Sequence, residues 1–446
     1  MNKKNIYTIA ISLFVVAIIF ILLRSKTSEN EPVSYKLKER KGALAESAEY
    51  IRTRATAAKL AMAIRENADD VKSMLALAAI YIQEARVTGD YMYYDMAAMQ
   101  QVNNVLNKDS KNFEALTYKA LIYLSQHHFA DGLAIAEKAK NINPYNAFIY
   151  GILVDANVEM GDYKKAVEYS DSMVSIRPDI RSYSRISYLR EMHGDYPGAI
   201  EAMKLALDAG MPGEEGTEWV RVQLGHLYEK TGDLKNAEMH YTIALEERPN
   251  YAYALAGLAN IAASNKDYPK AIGYLSKADS LVIDYTFKDE LVDIYRLSGQ
   301  NSKATSLAQI VIDEMSKDSK AGLTNENIGH YADRELAYAY LKVNDNDNAL
   351  THALAEYNRR PKNIDVNETV AWVYYNQNEA AKAIPYLQEA LKTNSKNPVL
   401  LNRAGLIYAK VGDKEKAKAF LQAALKNNPA IAEDLKAQSV QIMKSL

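Results

Sequence analysis

The chain has 446 residues, with 54 Lys plus Arg against 56 Asp plus Glu and a net charge of -2, so no basic excess points to nucleic acid as the partner. Cysteine is absent, which excludes disulfides, thiol nucleophiles, lipobox-type lipid anchors and thiolate zinc sites. Few Gly and Pro in a background rich in Ala, Tyr and charged residues suit many short helices better than strands, and the chain reads as all-α.

Residues 1–5 are a short tail carrying Lys3 and Lys4, and "IYTIAISLFVVAIIFILL", Ile6 to Leu23, follows without a charge. As a helix at 1.5 Å per residue this run reaches about 27 Å, near the hydrocarbon thickness of a bilayer. Its Ile, Leu, Val and Phe residues favour insertion by about 4 to 8 kcal/mol. The run exceeds the usual apolar core of a cleaved signal peptide, and "LLRSKTSE" offers no small-x-small cleavage site, so residues 6–23 read as a retained single-pass signal anchor. Lys3 and Lys4 favour a cytosolic N-terminus, whereas Arg24, Lys26, Lys36, Lys38, Arg40 and Lys41 pull the other way. Long domains translocate largely regardless of charge, which favours the body on the extracytoplasmic side and leaves the cytoplasmic side open. Residues 24–43, polar and charged, read as a tether.

The remainder repeats itself. "GDYKKAVEYSDSMVSIRP" from Gly161 returns as "GDYPGAIEAMKLALDAG" from Gly194, "GDLKNAEMHYTIALEERP" from Gly232, "KDYPKAIGYLSKADS" from Lys266 and "GDKEKAKAFLQAALKNNP" from Gly412. The period is about 34 residues, with units near 113–146, 147–179, 180–217, 218–251, 252–284, 285–329, 330–363, 364–397 and 398–431 and an irregular one at 71–112. Gly161, Gly194, Gly232 and Gly412 stand where a first helix must stop, since glycine accepts the left-handed C-cap. Asp162, Asp195, Asp233, Asp267 and Asp413 then offer a carboxylate to the exposed amides of a second helix. Ala166, Ala199, Ala237, Ala271, Ala304, Ala349, Ala383 and Ala417 share a position where a methyl group allows close helix approach, and Pro144, Pro178, Pro249, Pro361 and Pro429 close their units. Breaks in the period at 86–97, 211–217 and 315–330 read as rim loops.

This frame resembles the tetratricopeptide repeat. In 218–251 the family positions fall on Leu224, Gly225, Tyr228, Ala237, Tyr241, Ala244 and Pro249, with Arg221 departing from the opening aromatic. In 398–431 they fall on Leu401, Ala404, Gly405, Tyr408, Ala417, Leu421, Ala424 and Pro429. The resemblance implies a right-handed superhelical solenoid of stacked helical hairpins, with about ten repeats over 71–431 and capping helices in 44–70 and 432–446. The product of such stacking is an open surface rather than a pocket.

No His-Glu-x-x-His, Gly-x-Ser-x-Gly, Walker-type or dinucleotide-binding motif is present, so no catalytic residue, cofactor or metal ligand is assigned and an enzyme is not expected. His127-His128 reads as a solvated turn, and Glu214-Glu215 and Glu246-Glu247 as solvent-facing pairs. Tyr123, Tyr228, Tyr295, Tyr340, Tyr374 and Tyr408 fall on packing positions. By resemblance to the family, Phe148, Tyr188, Trp219, His226, Tyr253, Asn260, Trp372 and Tyr375 face the concave groove, with the aromatic and amide groups of a peptide-binding surface. Arg181, Arg185 and Arg190 share one helix; Arg181 and Arg185 could clamp a carboxylate or phosphate, or pair with local acids. The basic clamp by which some family members hold chaperone C-termini is rejected, because Thr117, Leu121, Gly151 and Asp155 stand where Lys and Asn are needed.

The functional expectation is a membrane-anchored scaffold binding protein or peptide segments on its concave face, in envelope biogenesis or secretion. A small-molecule or glycan-binding solenoid is the alternative. Oligomeric state is not specified by these features.

Overall fold

The computed structural model describes residues 35–324, 330–427 and 433–446. The run expected to span a bilayer, 6–23, lies outside them, and among the described residues no helix is long and apolar enough to cross a membrane. Glu39–Leu446 forms one compact unit.

Every regular element among the described residues is helical. A 3-10 turn at Gly42–Glu46 precedes α1 (Ala48–Glu66). Helical hairpins then follow one another: α2 and α3 (Val71–Thr88, Tyr91–Lys108), α4 and α5 (Phe113–Ser125, Phe129–Ile142), α6 and α7 (Ala147–Glu159, Tyr163–Ile176), α8 and α9 (Ile180–Met192, Tyr196–Asp208), and α10 and α11 (Glu215–Lys230, Leu234–Glu247). The series continues with α12 and α13 (Ala252–Ser264, Tyr268–Leu281), α14 and α15 (Tyr285–Leu297, Asn301–Thr324), α16 and α17 (Asp333–Lys342, Asn346–Arg359), α18 and α19 (Ile364–Asn376, Ala380–Ala390), and α20 and α21 (Pro398–Lys410, Lys414–Asn427). The last helix described is α22 (Glu433–Ser445).

The same local physics makes each hairpin. At every one of these turns one residue is left-handed: Gly89, Gly161, Gly194, Gly232, Gly299 and Gly412 take it freely, while His127, Lys266, Asn344 and Asn378 take it at φ of 60° to 62°. The next residue opens the second helix. Asp162 accepts from the Lys165 amide at 3.1 Å, Asp195 from Gly198 at 3.0 Å and Asp233 from Asn236 at 3.2 Å, each cap contributing about 1 kcal/mol. Ala166, Ala199, Ala237, Ala271, Ala304, Ala349, Ala383 and Ala417 are fully buried where the two helices cross. A Cβ at Gly225 or Gly257 would overlap the Tyr241 ring, so these glycines let consecutive first helices close on that side chain.

Two breaks in the period resolve differently from expectation. Gly89-Asp90 is an ordinary hairpin turn, so 86–97 is no rim loop but the end of α2 and start of α3. At 315–330 the first part extends α15 to Thr324, and 325–329 lie outside the described residues. Among the described residues of the three breaks only 211–217 holds a turn, and α10 begins within it at Glu215.

The hairpins do more than stack on their neighbours. Hydrogen bonds and ion pairs join residues roughly two hundred positions apart, which is about six repeats of the 34-residue period. The Glu49 carboxylate accepts from Arg248 at 2.7 Å, Ile283 N–H donates to Thr88 at 2.8 Å, and Tyr331 N–H donates to Gln126 at 3.2 Å. The densest part of this seam lies at 158–163 against 360–364. Asn363 donates to the Val158 and Glu159 carbonyls, the Tyr163 hydroxyl accepts from Ile364 N–H at 2.8 Å, and the Arg360 guanidinium bonds Glu159 and Glu356 while stacking 4.4 Å from the Phe129 ring. Ile364 completes a core cluster with Val154, Val158 and Tyr163. Successive superhelical turns therefore touch, and Gly161 is packed so closely that a Cβ there would overlap the Lys362 carbonyl.

Candidate functional site

The contact between turns deepens the concave side without sealing it. Over the first turn the concave surface is a deep, half-open cavity of about 2010 Å³. First helices supply most of its wall because their inner faces point to the superhelix axis, and α1 and the 209–217 turn complete it.

Six of the residues assigned to the groove line this cavity: Phe148, Arg181, Arg185, Tyr188, Trp219 and His226. Tyr188 and Trp219 remain 42% and 36% exposed, although the walls around Tyr188 raise its phenol pKa well above the ordinary value. His226 is fixed by the Tyr241 hydroxyl at 2.9 Å and Glu229 at 3.1 Å. The two arginines differ. Arg185 holds Asp155 through both carboxylate oxygens, at 2.6 and 2.9 Å, and also donates to the Gly151 carbonyl, so its fork is occupied. Arg181 lies 4.9 Å from the Phe148 ring centroid, and among the described residues it has no carboxylate in ion-pair reach; its side chain is exposed to the cavity. Arg185 thus takes the local-acid pairing that the sequence also offered. Arg190 is exposed, bonds the Gly198 carbonyl at 3.1 Å and stands 3.9 Å from Glu201.

The other four lie outside the cavity. Tyr253 packs 5.7 Å from Phe287, and Asn260 is half-buried on α12. Trp372 stacks on Tyr375 at 4.8 Å and beneath Arg403 at 4.9 Å, while the Tyr375 hydroxyl accepts from Gln438 of α22. Arg403 itself is held by Glu368 at 2.7 Å and the Tyr338 hydroxyl at 2.8 Å. This second aromatic group is bound up with internal partners rather than with the cavity.

Two readings of surface residues are corrected. Glu215 is only 7% exposed and pairs with Arg86 at 3.0 Å, because the turn at 211–217 folds into the cavity wall. His127-His128 is not a solvated turn: the His127 ring lies 4.1 Å from His330, His128 stacks on Tyr331 at 4.3 Å, and His127 Nδ1 is 2.8 Å from the Tyr331 carbonyl. Burial pushes His330 down to about 3, with the neighbouring His127 adding to it, so it is neutral at pH 7.

Asp95 was not singled out from the sequence at all. It lines the cavity, is 2% exposed, and accepts from the Ser125 hydroxyl at 2.7 Å; burial pushes its carboxyl up to about 7. The available signal was an acid in "YMYYDMA" among residues that otherwise pack, masked because that stretch departs from the repeat. Among the described residues no group of three or more His, Asp and Glu is placed to hold a metal ion.

These features define an α-solenoid of helical hairpins built round a half-open cavity. The model of the tetratricopeptide repeat matches residues 222–283 and 334–398, and a second model of it matches 399–431. No curated protein matches in sequence. Among solved structures, the APC/C hetero-tetramer Cut9-Hcn1 is similar at 15% identity and a TM-score of 0.38 over 84% of this chain, which spans 63% of that one. PilW, a widely conserved type IV pilus biogenesis factor, is similar at 17% identity and a TM-score of 0.38 over 45% of this chain and 91% of its own. A thermophilic TPR protein of Thermus thermophilus is similar at 20% identity and a TM-score of 0.36 over 46% of this chain and 98% of its own.

Proposed function

We propose that this chain is a membrane-anchored, non-enzymatic scaffold that holds a segment of another protein inside its solenoid, with residues 6–23 as a single-pass signal anchor and the stretch from 24 to 38 as the tether; residues 39–43, read from the sequence as tether, belong to the compact unit, where Arg40 is buried against Glu84 and Glu49. The carrying observation is the cavity. At about 2010 Å³ it is larger than the ~300–1,000 Å³ of ordinary small-molecule pockets, and its wall combines aromatic anchors with hydrogen-bonding and charged groups. The body lies on the extracytoplasmic side in this reading, where an anchored scaffold would serve envelope biogenesis or secretion.

Affinity capture from detergent-solubilised membranes tests the binding site. The chain with Phe148, Tyr188 and Trp219 all replaced by alanine should lose at least one protein that the wild type retains, with its helical circular dichroism unchanged. Identical capture by both would remove the cavity from the interaction. A melting shift with a glycan or small molecule, and no captured protein, would favour the small-ligand alternative.

Residues 6–23 are tested separately. The full chain should stay with membranes through alkaline carbonate extraction, and deletion of residues 1–23 should release it. A mature N-terminus beyond residue 23, read by mass spectrometry, would replace the anchor with a cleaved signal peptide.

A further inference from the structure

Most of the charge in the cavity wall is already neutralised. Glu215 has Arg86, Asp155 has Arg185, and Glu191 has Lys230 at 2.5 Å. Asp95 has no cation among the described residues, although it is more deeply buried than any of these. A carboxylate held away from water is costly unless paired, so a fold that keeps one on a cavity wall is short of a positive charge there.

The surroundings specify what kind of cation would fit. One oxygen of Asp95 is taken by the Ser125 hydroxyl. The planar fork of a guanidinium needs two free oxygens for its bidentate mode, whereas an ammonium is a point donor and needs one. Tyr91, one turn earlier on α3, and Leu121 and Ile122 on α4 also line the cavity, offering apolar surface for an alkyl stem. Beyond Ser125, the His330 ring hydrogen-bonds the Ser125 backbone. Being neutral, it brings no competing positive charge.

We propose that Asp95, with Ser125 beside it, is the counter-ion for a primary ammonium: the lysine side chain of the protein segment held in the cavity. The inference rests on the cavity being the binding site and names one chemical requirement of its occupant. Binding carries a proton signature. With its carboxyl near 7 through burial, Asp95 is about half protonated at pH 7, and an arriving ammonium expels that proton. The other titratable and charged groups nearby are Tyr91 on the same helix, with Arg86, Asp284 and Glu215 around it, His127 and His330 beyond Ser125, and Glu335 behind the histidines. Tyr91 is pushed up to about 12 and His330 down to about 3, so neither titrates near pH 7.

The test uses the full chain in detergent and Nα-acetyl-lysine methylamide as the probe, up to about 50 mM at constant ionic strength. Its Nε-acetylated form, the arginine counterpart and glycine methylamide, which carries only an α-ammonium, serve as comparisons. The lysine probe should raise the wild-type melting midpoint by about 2 °C or more and release about half a proton at pH 7 by calorimetry in buffers of different ionisation enthalpy. Asp95→Asn, which keeps the Ser125 bond, should show neither effect while retaining its fold by circular dichroism. Equal shifts from the Nε-acetylated probe, an unchanged response in Asp95→Asn, or no response of the wild type overturns the subsite. A stronger response to the arginine or glycine probe overturns the assignment to lysine. The two readings separate cleanly. Loss of the lysine response in Asp95→Asn while the Phe148, Tyr188 and Trp219 variant still captures every partner supports the ammonium subsite and sinks the wider cavity reading; the opposite pattern sinks the subsite alone.

Discussion

Replacing Arg360 with alanine is expected to cost about 3–5 kcal/mol and to loosen the superhelix, because it removes one partner from a buried charge cluster. Arg360 is 5% exposed and bonds both Glu356, on its own turn, and Glu159, about two hundred residues earlier. Without it, Glu356 keeps Arg359, whereas Glu159 loses the cation that opposes its burial. The Phe129 ring also loses the guanidinium stacked on it. Urea unfolding measures the cost, and small-angle scattering should show an increased radius of gyration as the turns part. Gly161→Ala provides an independent probe of the same seam: it keeps every charge but requires a left-handed alanine against the Lys362 carbonyl. If both variants unfold within about 1 kcal/mol of the wild type and scatter identically, contact between turns does not stabilise the fold.

Asp95→Asn is expected to stabilise the protein at pH 8 and to do nothing near pH 4. The sign follows from the direction of the shift. The carboxyl is raised from 3.8 to about 7 on folding, so the unfolded chain gives up its proton first. Stability is therefore fully present below the unfolded value and is lost as pH rises towards the folded one. The penalty accumulates between about pH 4 and pH 7 and reaches at most about 4 kcal/mol, at 1.36 kcal/mol per pH unit. Asparagine stays neutral and still accepts from Ser125, so the difference between variant and wild type should open over that window and be constant above it. Urea midpoints at pH 4, 6 and 8 measure this. A difference independent of pH would mean that Asp95 is not the group that titrates.

The hairpin was legible because its causes are local. Gly161 and Asp162 stop one helix and start the next using only their own backbone and side chain, and the fully buried Ala166 sits where the two helices must meet. Where the glycine is replaced, by His127, Lys266, Asn344 or Asn378, the turn still forms because the rest of the pattern demands it. The candidate site was legible in part for the same reason. Phe148, Tyr188, Trp219 and His226 face inward because of their register within a first helix, and register is a property of one repeat.

What the chain order alone determined, then, is an all-helical solenoid of repeated hairpins and which face of each first helix looks inward. Tertiary structure decided the rest. Whether Trp372 and Tyr375 border the cavity or stack on one another, whether His127 meets water or His330, and whether Gly161 is exposed or lies against Lys362 all depend on the small rotation between neighbouring hairpins. That rotation accumulates over about six repeats before two turns meet, so a slight change in each interface would open the seam. No short stretch of sequence encodes such a sum. Asp95 belongs to this second class: its carboxyl is an ordinary acid in the sequence and becomes a buried group beside Ser125 only when neighbouring hairpins pack.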